Sequence, residues 1–498
     1  MADTVNLMRK RVLNMAIRGE LVEQRIEEGT AEGLLKFVKQ NKITKNQDTA
    51  FEVDNKDIPF IIPKNWKWIK LGSIFNITSS KRITKSQWSD YGVPFYRARD
   101  IVALRNNSFV DSLNIPFELF EEIKEKYGVP KRNDLMVTGV GSIGVPYIVK
   151  KDEEFYFKDA TILWFKNILN INVEYIYYLF ESDFLRERIL SESQGTTVAT
   201  YTITRANNEL IPLPPLPEQK RIVAKIEEIF AVIDQIGTKK EEALSIIQNM
   251  RQTALQDAIR GVLVEQDEND EPASILYEKI QVEKEKLVKE KKIKKEKPLP
   301  NIEDDEIPFD IPESWKWVRL KEVVHNHGQK KPDKPFSYID IGSIDNNRTQ
   351  LNKEDKIVKP EEAPSRARKI VKFGDILYST VRPYLHNACI VDREFSEEPI
   401  ASTGFAVMRT FNGLLNRFLF YYLLSPTFDL YANDSSNATG TAYPAINDTK
   451  LYRAVVPLPP LAEQERIAEK IDEIMAICDQ MEAIFDGSSE MNTNLKVV

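Results

Sequence analysis

The spacing Gly139–x–Gly141–x–x–Gly144, read as GVGSIG, receives a dinucleotide pyrophosphate when it opens a helix. Here it follows the strand-like run DLMVT and leads into PYIVKK, a second strand-like run, so the residues predict a glycine-rich hairpin. No Gly-x4-Gly-Lys-Ser/Thr phosphate loop occurs. His325-Asn326-His327 brings two imidazoles close without further ligands, His386 stands alone, and three histidines in all argue against a histidine-rich metal centre. Each Pro-Pro pair is flanked by leucine, not by the Asn or Asp and the aromatic residue of an amino-methyltransferase motif. Cys389 and Cys478 cannot frame a disulfide scaffold, which points to a reducing compartment.

Positive charge is the more informative chemistry. Lys81, Arg82, Lys85, Arg97, Arg99 and Arg105 face only Asp90 and Asp100, a local +4. Arg366, Arg368, Lys369, Lys372 and Arg382 face only Asp375, again +4, with Tyr384 next to them and Lys330 and Lys331 earlier in the same variable stretch. Clustered Lys and Arg neutralise phosphates, and Arg reads guanine edges in the major groove. The hydroxyls of Ser80, Ser142, Thr196, Thr197, Ser379, Thr380 and Thr441 suit phosphate or base-edge hydrogen bonds. We take these residues as the candidate DNA contacts.

The frame that must position them is written twice. AIRGELVEQ (Ala16 to Gln24) returns as AIRGVLVEQ (Ala258 to Gln266), IPFIIPKNWKWIKL (Ile58 to Leu71) as IPFDIPESWKWVRL (Ile307 to Leu320), and IPLPPLPEQKRI (Ile211 to Ile222) as VPLPPLAEQERI (Val456 to Ile467). The offsets are 242, 249 and 245, so a linker is longer in the second copy and the following variable stretch shorter. Residues 72–210 and 321–455 barely resemble each other, as expected of one fold carrying different surfaces. They hold 17 Lys+Arg against 18 Asp+Glu, and 18 against 16, which together leave −8 of the net −7 on the repeats and ends. The acidity therefore lies on the frame.

A chain of 498 residues implies two to four domains. The repeats divide it into 1–57, 58–210, 211–306, 307–455 and 456–498. After the prolines at 212–217, Ile222, Ile226, Ile229 and Ile233 fall at alternating spacings of four and three, a heptad-like seam repeated by Ile467, Ile471 and Ile474. The pattern predicts a helix over 218–263, with Gly237 a potential kink, and an antiparallel helix pair holding the variable domains apart. Aromatic-rich helices are expected at 172–190 and 415–431, and the lysine-rich end of 267–297 reads as a solvated helix or linker. The amino terminus has no apolar signal core, and no apolar run reaches the ~18 residues of a membrane span.

These motifs resemble the specificity subunit of type I restriction-modification enzymes, the HsdS family. PLPPLxEQxRI before an Ile-rich helix, the split AIRGxLVEQ and IPxxWxW each occur twice, in the family's order over the whole chain. The resemblance implies an α+β architecture: two mixed α/β target-recognition domains separated by long antiparallel coiled-coil helices, with internal pseudo-twofold symmetry. It implies a non-catalytic cytoplasmic protein of a bacterium or archaeon, each variable domain reading one half of a bipartite, asymmetric site in double-stranded DNA. The helices would set the unread gap and dock two methyltransferase subunits, giving Ile222, Ile226, Ile229, Ile233, Ile467, Ile471 and Ile474 a packing or partner-docking role. Glu218, Gln219 and Arg221, with Glu463, Gln464 and Arg466, occupy motif positions. S-adenosylmethionine would come with the methyltransferase subunits, ATP and Mg with a restriction/translocase subunit, and no cofactor is expected in this chain. Two other readings stay open: a self-sufficient DNA methyltransferase or nuclease, and a coiled-coil scaffold without a DNA role.

Overall fold

A computed structural model of the chain describes residues 2–40, 53, 55–150, 153–191, 200–295, 297–434 and 445–486. The chain forms two compact units, Met1–Lys239 and Lys240–Val498. The boundary falls inside one helix, Leu216–Arg260, which Gly237 does not interrupt. Its second residue is Pro217, whose missing amide hydrogen costs nothing because the first helical N–H groups have no intrahelical partner anyway.

Each unit contains the same helix pair. In the first, the helix Ala2–Arg18 buries Leu13, Ala16 and Ile17 against Ile222, Val223 and Ile226. In the second, Leu255, Ala258 and Ile259 share a core with Ile467 and Ile471 of the helix Leu461–Asp486. Arg9 pairs with Asp234 and, 242 residues further on, Arg251 with Asp479 at 2.6 Å. The contacts run in opposite order along the two partners, so both pairs are antiparallel.

Each variable domain leaves and rejoins this frame through a two-stranded antiparallel pair. Lys67–Lys70 pairs with Leu210–Leu213, placing Trp68 opposite Pro212; Lys316–Arg319 pairs with Val455–Leu458, placing Trp317 opposite Pro457. Proline is tolerated because a two-stranded ribbon leaves one edge of each strand without a ladder partner.

Beyond these pairs, dissimilar sequences fold alike. The first domain has a sheet in the order Asn76–Thr78, Ile162–Lys166, Leu135–Thr138, Pro146–Ile148, and the second has Val324–His325, Phe405–Thr410, Ile376–Ser379, Ala388–Ile390. Each also has a second sheet, of three strands in the first domain and four in the second, with one parallel pairing, Val93–Tyr96 with Tyr156–Phe157 and Phe336–Ile339 with Pro399–Ser402. The central strands Leu135–Thr138 and Ile376–Ser379 are buried at every position, which explains their apolar runs without alternation. The closing aromatic segments differ from expectation, since each is two helices: Val173–Glu181 then Asp183–Ser191, and Asn416–Leu423 then Pro426–Asn433. A serine interrupts both, and the Ser425 hydroxyl caps the second helix by accepting from the Phe428 N–H.

Candidate nucleic-acid interface

The three repeated motifs meet at one junction in each unit. Gly19 and Gly261, with φ of +74° and +73°, end the AIRG helices in the left-handed region. A Cβ on either would collide with Pro63 and Trp66, or with Pro312 and Trp315. The Gln24 amide donates to Glu218 Oε1 at 2.6 Å, and Asn65 donates to Oε2 at 3.0 Å. In the second unit Gln266 donates to Glu463, whose other oxygen accepts from Trp315 Nε1 at 2.9 Å. Burial pushes both carboxyls above the usual range, against the pull of these donors. Gln219 and Gln464 donate to the carbonyls of Pro214 and Pro459, while Arg221 pairs with Glu28 and Arg466 with Asp270. The motif residues therefore lock frame to domain.

A shared turn inside the domains escaped the sequence reading. Asp134 accepts from the Lys131 N–H at 2.9 Å, and Asp375 from the Lys372 N–H at 2.7 Å, each immediately before the central strand. Trp164 Nε1 and the Asn167 N–H complete the first carboxylate, at 2.8 and 2.9 Å; Arg409 Nε and His327 Nε2 complete the second, at 2.7 and 3.2 Å. The signal was present as KRNDLMVT and KFGDILYS, at an offset of 241. It also explains His325-Asn326-His327: His327 supports Asp375, and burial lowers the His325 pKa. Among the described residues, no His, Cys, Asp and Glu group has a metal-holding arrangement. GVGSIG is the expected hairpin, between Leu135–Thr138 and Pro146–Ile148.

The candidate DNA contacts divide by geometry. In the first domain Lys81, Arg82, Lys85, Arg99 and Ser142 are exposed, and Lys81 Nζ lies 4.9 Å from the Tyr127 ring centre. Arg97 instead binds Asp100 at 2.8 Å and the Asp111 carbonyl at 3.0 Å, and Arg105 pairs with Glu181, so both serve the fold. The Ser80 hydroxyl is buried. In the second domain Lys331, Arg366 and Tyr384 are exposed and Arg368 and Arg382 half-buried, while Lys330 pairs with Glu398 and Lys369 with Asp448 at 3.7 Å. Arg366 borders an open cavity of about 1100 Å³ that Tyr338, Ser343, Asn352 and Lys356 also line. Ser379 and Thr380 depart from expectation: both are buried, and their hydroxyls donate to the carbonyls of Val381 and Gly404. Thr196, Thr197 and Thr441 lie outside the described residues.

The isoleucine seam also has its partners inside the chain. Ile222, Ile226, Ile233, Ile467 and Ile471 are buried, and Ile229 and Ile474 half-buried. Ile222 and Ile226 lie in the core of the first unit and Ile467 and Ile471 in that of the second, so the seam packs within each unit. No helix among the described residues is long and apolar enough to cross a membrane.

Residues 63–245 and 312–484 match the family described as type I restriction modification DNA specificity domain. The chain is 26% identical to the EcoAI type I restriction enzyme specificity subunit of Escherichia coli, with 99% of this chain and 92% of that one covered. It is similar to the crystal structure of the HsdS subunit from Thermoanaerobacter tengcongensis, at 21% identity and a TM-score of 0.51, covering 86% of this chain and 93% of that one. It is also similar to a chain from the structural basis of complex assembly and conformational transition of the type I R-M system, at 20% identity and a TM-score of 0.59, covering 86% and 95%. At these identities the two structures speak for the fold.

Proposed function

Because the chain belongs to the type I restriction modification DNA specificity family, we propose that it is the non-catalytic subunit telling a methyltransferase and endonuclease complex where to act. Each domain reads one half of a bipartite site in double-stranded DNA, and the paired helices set the unread gap and dock two methyltransferase subunits. Those subunits bring S-adenosylmethionine, and restriction subunits bring ATP, Mg and cleavage, in the cytoplasm. The observation that supports this reading best is the doubled frame carrying two domains whose central-strand sheets share one strand order but whose exposed residues differ. A reader of two different half-sites needs that combination, whereas a scaffold without a DNA role has no use for two divergent surfaces.

Co-expression with its neighbouring methyltransferase gene, followed by mapping of methylated bases across the host genome, tests the proposal. The expected result is a bipartite motif with an unspecified gap, of which replacing residues 72–210 by another domain changes one half only. An intact complex that yields no motif would overturn it.

A further inference from the structure

The hairpin at GVGSIG has a counterpart in the second domain, between the strands Ile376–Ser379 and Ala388–Ile390 at the same place in the sheet. In the first domain the left-handed positions are Gly141 and Gly144, with φ of +71° and +75°. In the second they are Arg382 and His386, at +51° and +49°, where residues bearing a Cβ are uncommon. Such a backbone persists only where its surroundings enforce it.

The enforcement is visible. His386 Nε2 lies 2.7 and 2.8 Å from the two carboxylate oxygens of Asp429, in the helix Pro426–Asn433. The Asn346 amide donates to the Leu385 carbonyl at 3.2 Å, and the Ile446 N–H to the Thr380 carbonyl at 3.0 Å. Pro383 fixes the turn that follows Arg382. Between these anchors Tyr384 is 50% exposed and Arg382 half-buried. Arg is the side chain that reads guanine edges bidentately, and a tyrosine hydroxyl suits a phosphate oxygen.

We propose that the loop Thr380–Asn387 is the element with which the second domain contacts its half of the DNA site, Arg382 facing a base edge and the His386–Asp429 pair holding the loop in place. The inference rests on the specificity reading above. His386 and Asp429 are positioning residues in it, acting through the loop.

The test uses the complex of the full chain with its methyltransferase subunits. The wild-type motif is mapped on host genomic DNA, and duplexes carrying that motif, or substitutions in either half, then serve as probes. Arg382→Ala is expected to lower discrimination at a position of the second half by roughly 5- to 150-fold, leaving the first half unchanged. His386→Asn keeps a residue that tolerates the left-handed region but shortens the side chain, and Asp429→Asn weakens the pair; both should reduce discrimination in the same half, per assembled complex. A purely structural role would lower the yield of complex without altering that ratio. If neither positioning variant assembles, Arg382→Ala and Tyr384→Ala decide the matter. Unchanged discrimination in both halves for these two variants overturns the inference and leaves the specificity reading standing. A wild-type complex without a bipartite motif overturns the reading itself.

Discussion

The side-chain amide of Gln24 donates to the Glu218 carboxylate at 2.6 Å, joining residues 194 positions apart, and Gln266 and Glu463 repeat the bond in the second unit. The acceptor begins the long helix and the donor ends the AIRGxLVEQ motif, so the two motifs most alike between copies are halves of one lock. Replacing Glu218 by Ala removes the acceptor of the half-buried Asn65 amide and one of the two acceptors of the exposed Gln24 amide, which keeps the Gly19 carbonyl at 3.1 Å, at a cost of about 1 kcal/mol. Calorimetry of the isolated chain should show a lower transition for the first unit, and a double-mutant cycle with Gln24→Ala should give non-additive losses. Strict additivity would mean that the two side chains act independently.

Truncating the seam should cost stability before it costs assembly. Ile226→Ala and Ile471→Ala each remove a fully buried branched side chain, with an expected loss of about 2–5 kcal/mol. Thermal melts of the chain without partners measure this. An unchanged melt together with failed binding of methyltransferase subunits would return these positions to a docking role.

Charge removal should separate exposed from structural arginines. Replacing Lys81, Arg82 and Lys85 by Ala should weaken DNA binding similarly across sequences, and should flatten the salt dependence by about one unit of slope for each phosphate no longer neutralised. Arg97→Ala should instead destabilise the first domain by about 2 kcal/mol, because it takes the nearest guanidinium from the buried Asp100 carboxylate and leaves it the backbone N–H at 97 and Arg99 at 3.5 Å. Titrations at several salt concentrations distinguish the two; equal salt slopes for both variants would contradict the assignment.

Acid should weaken the Arg319–Glu306 ion pair. The Arg319 guanidinium, itself buried, holds the Glu306 carboxyl down at about 2, from an ordinary 4.5. A carboxyl lowered on folding stabilises above its unfolded pKa and loses that contribution as pH falls through the folded value. Wild type should therefore melt above Glu306→Gln near neutrality, with the difference closing between pH 4.5 and 2. Glu218 and Glu463, raised by burial, act in the opposite sense: their contribution is present below pH 4.5 and fades as pH rises through the raised values. A difference between wild type and Glu306→Gln that stays constant over the acid range would show that the pair is not responsible.

Repeats and periodicity made the frame legible in the sequence, because several motif residues are held by other motif residues: Gly19 by Pro63, Gln24 by Glu218. The predicted helix over 218–263 is Leu216–Arg260, and GVGSIG is a hairpin because strand-like runs flank it. The interface was harder to read, for a physical reason. Summing charge along a short stretch counts Arg105 as available, yet its partner Glu181 lies 76 residues away. Likewise, a hydroxyl near an arginine in sequence, as at Ser379 or Thr380, is spent on a backbone carbonyl where the chain is buried. The Asp134 and Asp375 turns were overlooked because only a few side chains in each hold the shared geometry while their neighbours differ.

The ribbon Lys67–Lys70 with Leu210–Leu213 brings the two ends of the variable stretch together, Lys70 opposite Leu210 on adjacent strands about 5 Å apart. Whatever lies between starts and finishes at one spot on the frame, so insertions or deletions inside it leave the helix pair undisturbed. Lys316–Arg319 with Val455–Leu458 repeats the arrangement around an interior four residues shorter. A genetic crossover within these short ribbons would transplant a whole domain together with its own clasp, making each one a cassette that evolution can exchange without redesigning its holder.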